Sequence, residues 1–344
     1  MKRTSEVSRF WLALLGCLVL ALVGIYISLT NGTFDLSVRD ILKTLLRIDP
    51  QRDHDLVVFD FRLPRIAIAA LVGCGLGVAG AVLQGITRNG LADPGILGIH
   101  AAAGSAVVVF MFLTQGTVKG AGLWSFLTMP MFGWLGGFAA VWLLYLFARH
   151  NGSIDPQRLI LVGIALGSGF GALTMYVSLK MNPQDFEMAT VWLSGSIYGA
   201  NWEQVWGILP WLLVLIPVIW RKAAVLDIMQ LHESSFVGLG VRVNVQRQWL
   251  LICCVGIISA CVSVSGSIGF VGLIAPHIAR RFVGLHYRYL VPVCGGIGMV
   301  MVLLGDFLGR TVFAPAELPV GIVISVIGVP YFVVLLYRAK RAKA

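Results

Sequence analysis

Few residues in this sequence have the type and spacing for covalent chemistry. Gly75-Leu-Gly-Val-Ala-Gly80 has the glycine spacing of a dinucleotide-binding turn, yet it lies inside an apolar run with no strand before it. His232-Glu233 opens like a zinc-peptidase helix, but Phe236 stands where the second histidine ligand belongs. No G-x-S-x-G nucleophile elbow and no Ser–His pair with a supporting carboxylate can be picked out. A G-x-x-x-x-G-K-[ST] phosphate loop is also missing, so ATP-driven work requires the ATPase to be another chain. The six cysteines (17, 74, 253, 254, 261 and 294) fall in apolar runs, where a thiol behaves as a small hydrophobe, so neither a disulfide framework nor a metal site is expected. His100, His277 and Asp306 are the few ionisable groups near the apolar segments, which is sparse for a carrier driven by protons or sodium.

The elements that would hold such residues are mostly apolar. Of 344 residues, 58% are hydrophobic and 12% charged, about half the usual charged share. At about 20 residues per bilayer crossing, there is room for roughly ten spans. A soluble enzyme, a disordered chain and a secreted disulfide scaffold are excluded. Segments free of Lys, Arg, Asp and Glu place the spans near 10–34, 66–87, 95–113, 126–148, 158–179, 203–220, 247–264, 268–283, 289–308 and 318–337. The first reads as a retained anchor, too long for the core of a signal peptide. The stretch 248–279 is too long for one crossing and too short for two, so a break is expected at Ser265-Gly266-Ser267, leaving a short eighth helix.

With both ends on one side, that side collects 17 of the 26 Lys and Arg residues and 5 of the 16 acids. The rule that basic loops stay inside makes both termini cytoplasmic. The basic residues are scattered through short loops and form no aromatic-lined basic face, so nucleic acid is not an expected partner. Three stretches are too polar to cross. Residues 37–60, outside, carry Val38, Ile41, Leu42, Leu45 and Leu46 at helical spacing, the pattern of an amphipathic surface helix. Residues 182–202, also outside, mix apolar and small residues and read as a re-entrant segment. Residues 221–247, inside, form the longest cytoplasmic loop and the natural docking surface for a soluble partner.

Small residues four apart let membrane helices approach closely. Gly73 and Gly77 have this spacing, as do Gly163, Gly167 and Gly171.

Ordered motifs along the chain carry a resemblance. Arg62-Leu-Pro-Arg65, Gly80-Ala-Val-Leu-Gln84 and Arg88-Asn-Gly-Leu-Ala-Asp-Pro94-Gly-Ile-Leu-Gly98 come first. Leu193-Ser-Gly-Ser196 and Leu231-His-Glu-Ser-Ser-Phe-Val-Gly-Leu-Gly240 follow. Gly266 to Arg280, Gly305-Asp-Phe-Leu-Gly-Arg310 and Glu317-Leu-Pro-Val-Gly321 complete the series. Together these resemble the FecCD permeases of type II ABC importers, over residues from about 10 to 338. Asn89-Gly90 departs from the family's Asn-Pro and loosens that turn.

The resemblance implies an all-α polytopic fold of ten helices in one domain, with a second permease subunit, identical or homologous, beside it. It also implies two cytoplasmic ATPases that hold the ATP and Mg, an external binding protein, and no cofactor on this chain. The implied cargo is a ferric siderophore, with cobalamin or haem as the alternative. From another class, an ion-gradient-driven secondary carrier remains the rival. Matching family positions give Arg62, Arg65 and Arg310 as the arginines that dock the binding protein. Glu233, Leu239 and Gly240 fall in the loop that contacts the ATPase. A weakly binding passage for a bulky chelate calls for small neutral groups. Ser168, Thr174, Ser178, Ser194 and Ser196 are the candidates, with an inner gate at Asp155-Pro156-Gln157.

Overall fold

The computed structural model of the chain describes residues 2–32, 36–48, 51–95, 97–114, 122–150, 153–154, 156–231 and 243–341. Helix α1 spans Lys2–Thr30. It starts before the apolar run because Lys2, Arg3 and Glu6 end the hydrophobic stretch without disfavouring helix. It stops at Thr30 and Asn31, whose side chains donate to the carbonyls of Tyr26 and Ile27 and so satisfy the last turn.

The amphipathic segment forms as expected. Helix α2 (Val38–Leu45) is capped by Ser37, which accepts from the Asp40 N–H, and buries Ile41 and Thr44 while leaving Leu42 exposed. Ile41 packs with Leu36, Val57 and Val58 in a small core of its own. Helix α3 (Arg52–Asp55) runs through a π-helical stretch, Leu56–Arg62, into α4 (Leu63–Thr87). The second span is therefore one rod from residue 52, starting well before the expected residue 66. Pro64 has no N–H to continue an α ladder, and the wide turn ahead of it carries the chain on without a break.

Helices α5 (Ile99–Leu113) and α6 (Gly122–Ala148) follow, and then a two-residue antiparallel pairing of β1 (Arg149–His150) with β2 (Ser153–Ile154). Helix α7 covers Pro156–Ser178, α8 Pro183–Leu193, α9 Trp202–Arg221 and α10 Ala223–Ile228. The chain closes with α11 (Val243–Ser265), α12 (Val271–Val283), α13 (Tyr287–Thr311) and α14 (Val320–Arg341). Among the described residues, seven helices are long and apolar enough to cross a membrane, and Ile99–Leu113 and Val320–Leu335 are shorter apolar helices. The 13-residue α12 supplies the expected short eighth helix. The break before it falls where the serine–glycine signal placed it: α11 ends at Ser265 and Gly266 takes a left-handed φ of +63°.

Helix α4 is the centre of the bundle and packs on α13, α11 and α12. Glycine makes that possible. A methyl group at Gly73 would overlap the Gly298 backbone, one at Gly77 the Cys294 carbonyl, and one at Gly80 the Gly272 backbone. The glycine series on α7 differs. Gly163 and Gly167 meet Gly98, but Gly171 faces open space.

Candidate functional site

At the Arg65 end of the bundle the chain gathers three arginines and three acids around a cavity of about 890 Å³. Arg65 Nη2 donates to Asp306 Oδ1 at 2.8 Å, its Nε lies 3.0 Å from the same oxygen, and Nη1 reaches Glu317 Oε2 at 2.9 Å. Arg310, one turn after Asp306 on α13, has Nε 4.0 Å from Asp306 Oδ2, and its Nη2 donates to the Ser28 carbonyl at 2.8 Å. Arg62 is 6% exposed and donates to the Leu29 carbonyl of α1. Asp53, Asn31 and Tyr198 complete the rim.

All three arginines expected to dock a binding protein are engaged within the chain. Arg62 is turned inward, and Arg65 and Arg310 are committed to Asp306. A largely buried guanidinium is tolerable only when a carboxylate or carbonyl takes its protons, and the bidentate pairing of Arg65 with Asp306 is the strong form of that contact.

A second candidate surface is an open concavity of about 480 Å³ lined by Ser194, Ser267, Gly321, Ser325, Val326 and Pro330 among others. Close backbone crossings build it. Gly195, with φ +80°, accepts from the Gly321 N–H at 2.8 Å, and Gly266 sits directly against the Trp192 carbonyl. The end of α8 reaches the starts of α12 and α14. Ser194 and Ser325 donate their hydroxyl protons to the carbonyls of Thr190 and Gly321 in their own helices. They therefore offer the concavity oxygen lone pairs only, as neutral, weak acceptors.

Of the five pathway candidates, Ser194 lines this concavity and Ser168 lies on the exposed face of α7 with Leu161, Ile164 and Met175. Thr174 and Ser178 are turned toward the packed side and are 8% and 3% exposed; Thr174 donates to the Phe170 carbonyl within its helix. Ser196 is buried and accepts from the Tyr198 N–H, which holds a turn. These three are buried within the single chain. At about 100° per residue, residues 174 and 178 lie about 40° apart on a stripe that packs against the chain, while residue 168 lies about 80° from 178 and about 120° from 174. Ser267 and Ser325 were missed because they lie on distant segments and meet only through the fold.

A buried polar group also escaped notice. The Gln84 amide donates to the carbonyls of Gly272 and Leu273, and Asp93 Oδ1 accepts from the Gly95 N–H at 2.8 Å. Gly272 lies against both Asp93 and Gly80. Gln84 Oε1, Asp93 Oδ2 and His100 Nε2 are buried. Asp93 lies in the connection between α4 and α5, and burial pushes its carboxyl up to about 6.

Glu233, Leu239, Gly240 and Asp155 lie outside the described residues; Pro156 and Gln157 open α7. Among the described residues, no group of three or more His, Cys, Asp and Glu side chains is placed to hold a metal ion.

Comparison with known proteins decides the family, since the FecCD transport family matches residues 20–338. The chain belongs to the FecCD transport family. Relatives agree along nearly the whole length. The Bacillus subtilis iron-uptake system permease protein FeuC is 50% identical over 95% of this chain and 97% of its own. The iron(3+)-hydroxamate import system permease protein FhuG of the same organism is 45% identical over 93% of this chain and 95% of its own. A solved inward-facing structure of a metal-chelate type ABC transporter superposes with a TM-score of 0.79 at 33% identity, covering 94% of this chain and 98% of that one. This FecCD chain is thus a multi-pass membrane permease of the type II ABC importer fold and not an enzyme. Membership implies ATPase and substrate-binding partners.

Proposed function

We propose that this FecCD permease translocates a ferric siderophore, handed to it by an external binding protein, into the cytoplasm. The observation that carries the reading is the open concavity between α8, α12 and α14, whose described lining is apolar side chains and hydroxyl acceptors without a charged group. Such a surface lets a bulky chelate pass without holding it, and selectivity then rests with the binding protein. The names of FeuC and FhuG, both iron permeases, support iron as the cargo.

In this reading the Arg65 end faces outward, the Arg88 end and both termini face the cytoplasm, and the Arg65–Asp306–Glu317 cluster forms the rim that receives the binding protein. Two ATPases, which hold the ATP and Mg, grip residues 221–247, and a second permease subunit covers the exposed apolar faces of α7 and α14. Closure of the ATPases moves that loop, tilts α7 and the 182–202 segment, and alternates access along the subunit interface past the Asp155–Gln157 turn. Proteoliposomes holding permease, ATPase and binding protein test this with radioactive iron: uptake requires ATP and a ferric siderophore. Uptake by the permease alone under a proton or sodium gradient overturns the reading, and a response to cobalamin or haem in place of siderophore reassigns the cargo.

A further inference from the structure

Phe270 opens α12 in a backbone conformation that few aromatic residues adopt, with φ +65° and ψ −21°. The residue ahead of a helix normally lies in the extended region. Where α5 starts from a left-handed residue, that residue is Gly98, which takes the conformation at no steric cost. Arg47 and Arg88, the other non-glycine residues with positive φ among those described, follow helix ends, where a left-handed turn is common. An aromatic residue held in this region persists only where its surroundings fix it. What fixes it is Gly328, buried in α14. A methyl group there would stand 2.6 Å from Phe270 Cγ, 2.7 Å from Cβ and 2.9 Å from Cδ1, so the ring rests directly on the glycine. Two residues on, Pro330 has no N–H to give to the Val326 carbonyl, and α14 bends readily at such a point.

The two residues lie behind opposite walls of the concavity of about 480 Å³. Ser267, from the Phe270 loop, lines one side, and Val326, Val329 and Pro330, which flank Gly328, line the other. We propose that Phe270 is a positioning residue of the passage, a spacer whose ring, seated on Gly328, holds these walls apart at the width a bulky chelate needs. The proposal rests on the concavity being the passage. The start of α14 is pinned independently, since the Gly321 N–H donates to the Gly195 carbonyl. About two turns further on, the Phe270 ring separates α14 from the Ser267 loop. Beyond it, Tyr331 meets His277 edge to face with 5.7 Å between ring centres. Without the Phe270 ring, α14 swings toward the loop about its bend and narrows the passage.

Cross-linking of the permease–ATPase complex in lipid nanodiscs tests the spacing. In a background lacking the six native cysteines, Ser267→Cys and Val326→Cys are bridged with bis-maleimide reagents of graded length. Phe270→Gly, which removes the ring and relaxes the backbone, lets shorter reagents bridge the pair. In proteoliposomes holding permease, ATPase and binding protein, the same substitution lowers the maximal rate of ferric siderophore uptake, read with radioactive iron, roughly tenfold, a barrier change of about 1.4 kcal/mol. The half-saturating concentration of loaded binding protein stays unchanged. Adding Gly328→Leu, which refills the gap from the other wall, restores the bridging length and most of the rate, a rescue that general destabilisation would not show. Phe270→Leu replaces Phe270→Gly if that complex fails to assemble, with changes in the same direction. A bridging length unchanged by loss of the ring overturns the proposal, as does a rate that does not fall or that stays low with Gly328→Leu. A wild-type complex that imports no ferric chelate fails the transport reading instead, and the bridging length then still reports whether Phe270 sets the spacing.

Discussion

Arg65 and Asp306 stand 241 positions apart and meet in a bidentate ion pair at the cavity of about 890 Å³, with Arg65 Nη2 2.8 Å from Asp306 Oδ1. Through Glu317 and Arg310 the pair ties the rod containing α4 to α13, to the chain leading into α14 and to the end of α1. Asp306→Ala removes the carboxylate shared by two largely buried guanidiniums, leaving Arg65 with Glu317 alone, and is expected to cost about 3 kcal/mol. Thermal unfolding in detergent reads it. The double variant Arg65→Met, Asp306→Leu should recover most of the loss, because it removes the charges together. A melting temperature untouched by Asp306→Ala would show that the pair is not structural.

Gly80 and Gly171 separate packing from abundance. Gly80→Ala drives a methyl group into the Gly272 backbone and should destabilise by more than about 2 kcal/mol, whereas Gly171→Ala, facing open space, should stay within about 0.5 kcal/mol. Equal effects would mean that the close crossing of α4 and α12 is relaxed in the membrane.

The two faces of α7 give a labelling experiment. In a background lacking the six native cysteines, Ser168→Cys and Ser194→Cys should react with a water-soluble thiol reagent, while Ser178→Cys should stay protected. Ser178→Ala should leave uptake unchanged and be neutral or stabilising by about 1 kcal/mol, since it deletes a buried hydroxyl that has no hydrogen-bond partner. Rapid labelling at 178 would extend the accessible face of α7 to the stripe that packs against the chain.

Asp93 makes stability depend on pH. Its carboxyl is pushed up to about 6 by burial, above the usual value near 4. The folded chain therefore holds a proton that the unfolded chain has already released, and stability falls as pH rises from about 4 to about 6. Above that window the full cost persists. Asp93→Asn keeps the acceptor for the Gly95 N–H and removes the cost, so a gain of up to about 2 kcal/mol is expected at pH 7.5, shrinking toward zero at pH 4. A gain that does not change with pH would assign the effect to packing.

Much of the bundle was legible in the sequence because hydrophobic length is a local property. The break at Ser265-Gly266-Ser267 and the helix at 38–45 follow from residues within a few positions of one another. Helix ends were less legible. The π-helical turn before Pro64 extends the second span back to residue 52, and charged helix formers extend the first back to residue 2. Side-chain direction was less legible still. Thr174 and Ser178 passed as pathway residues because their type was right, while their side of α7 depends on what packs against it.

By itself the sequence determined that the chain lives in a membrane, that it is built of apolar helices and which family it joins. Each of these follows from apolar run length and from contiguous motifs. Only the tertiary structure decided that Arg65 is answered by Asp306 and Glu317, that Ser194, Ser267 and Ser325 share one concavity, and that Gln84 and Asp93 converge on Gly272. Those partners come from separate helices, and what brings them together is the close approach that glycine permits at the crossings of α4.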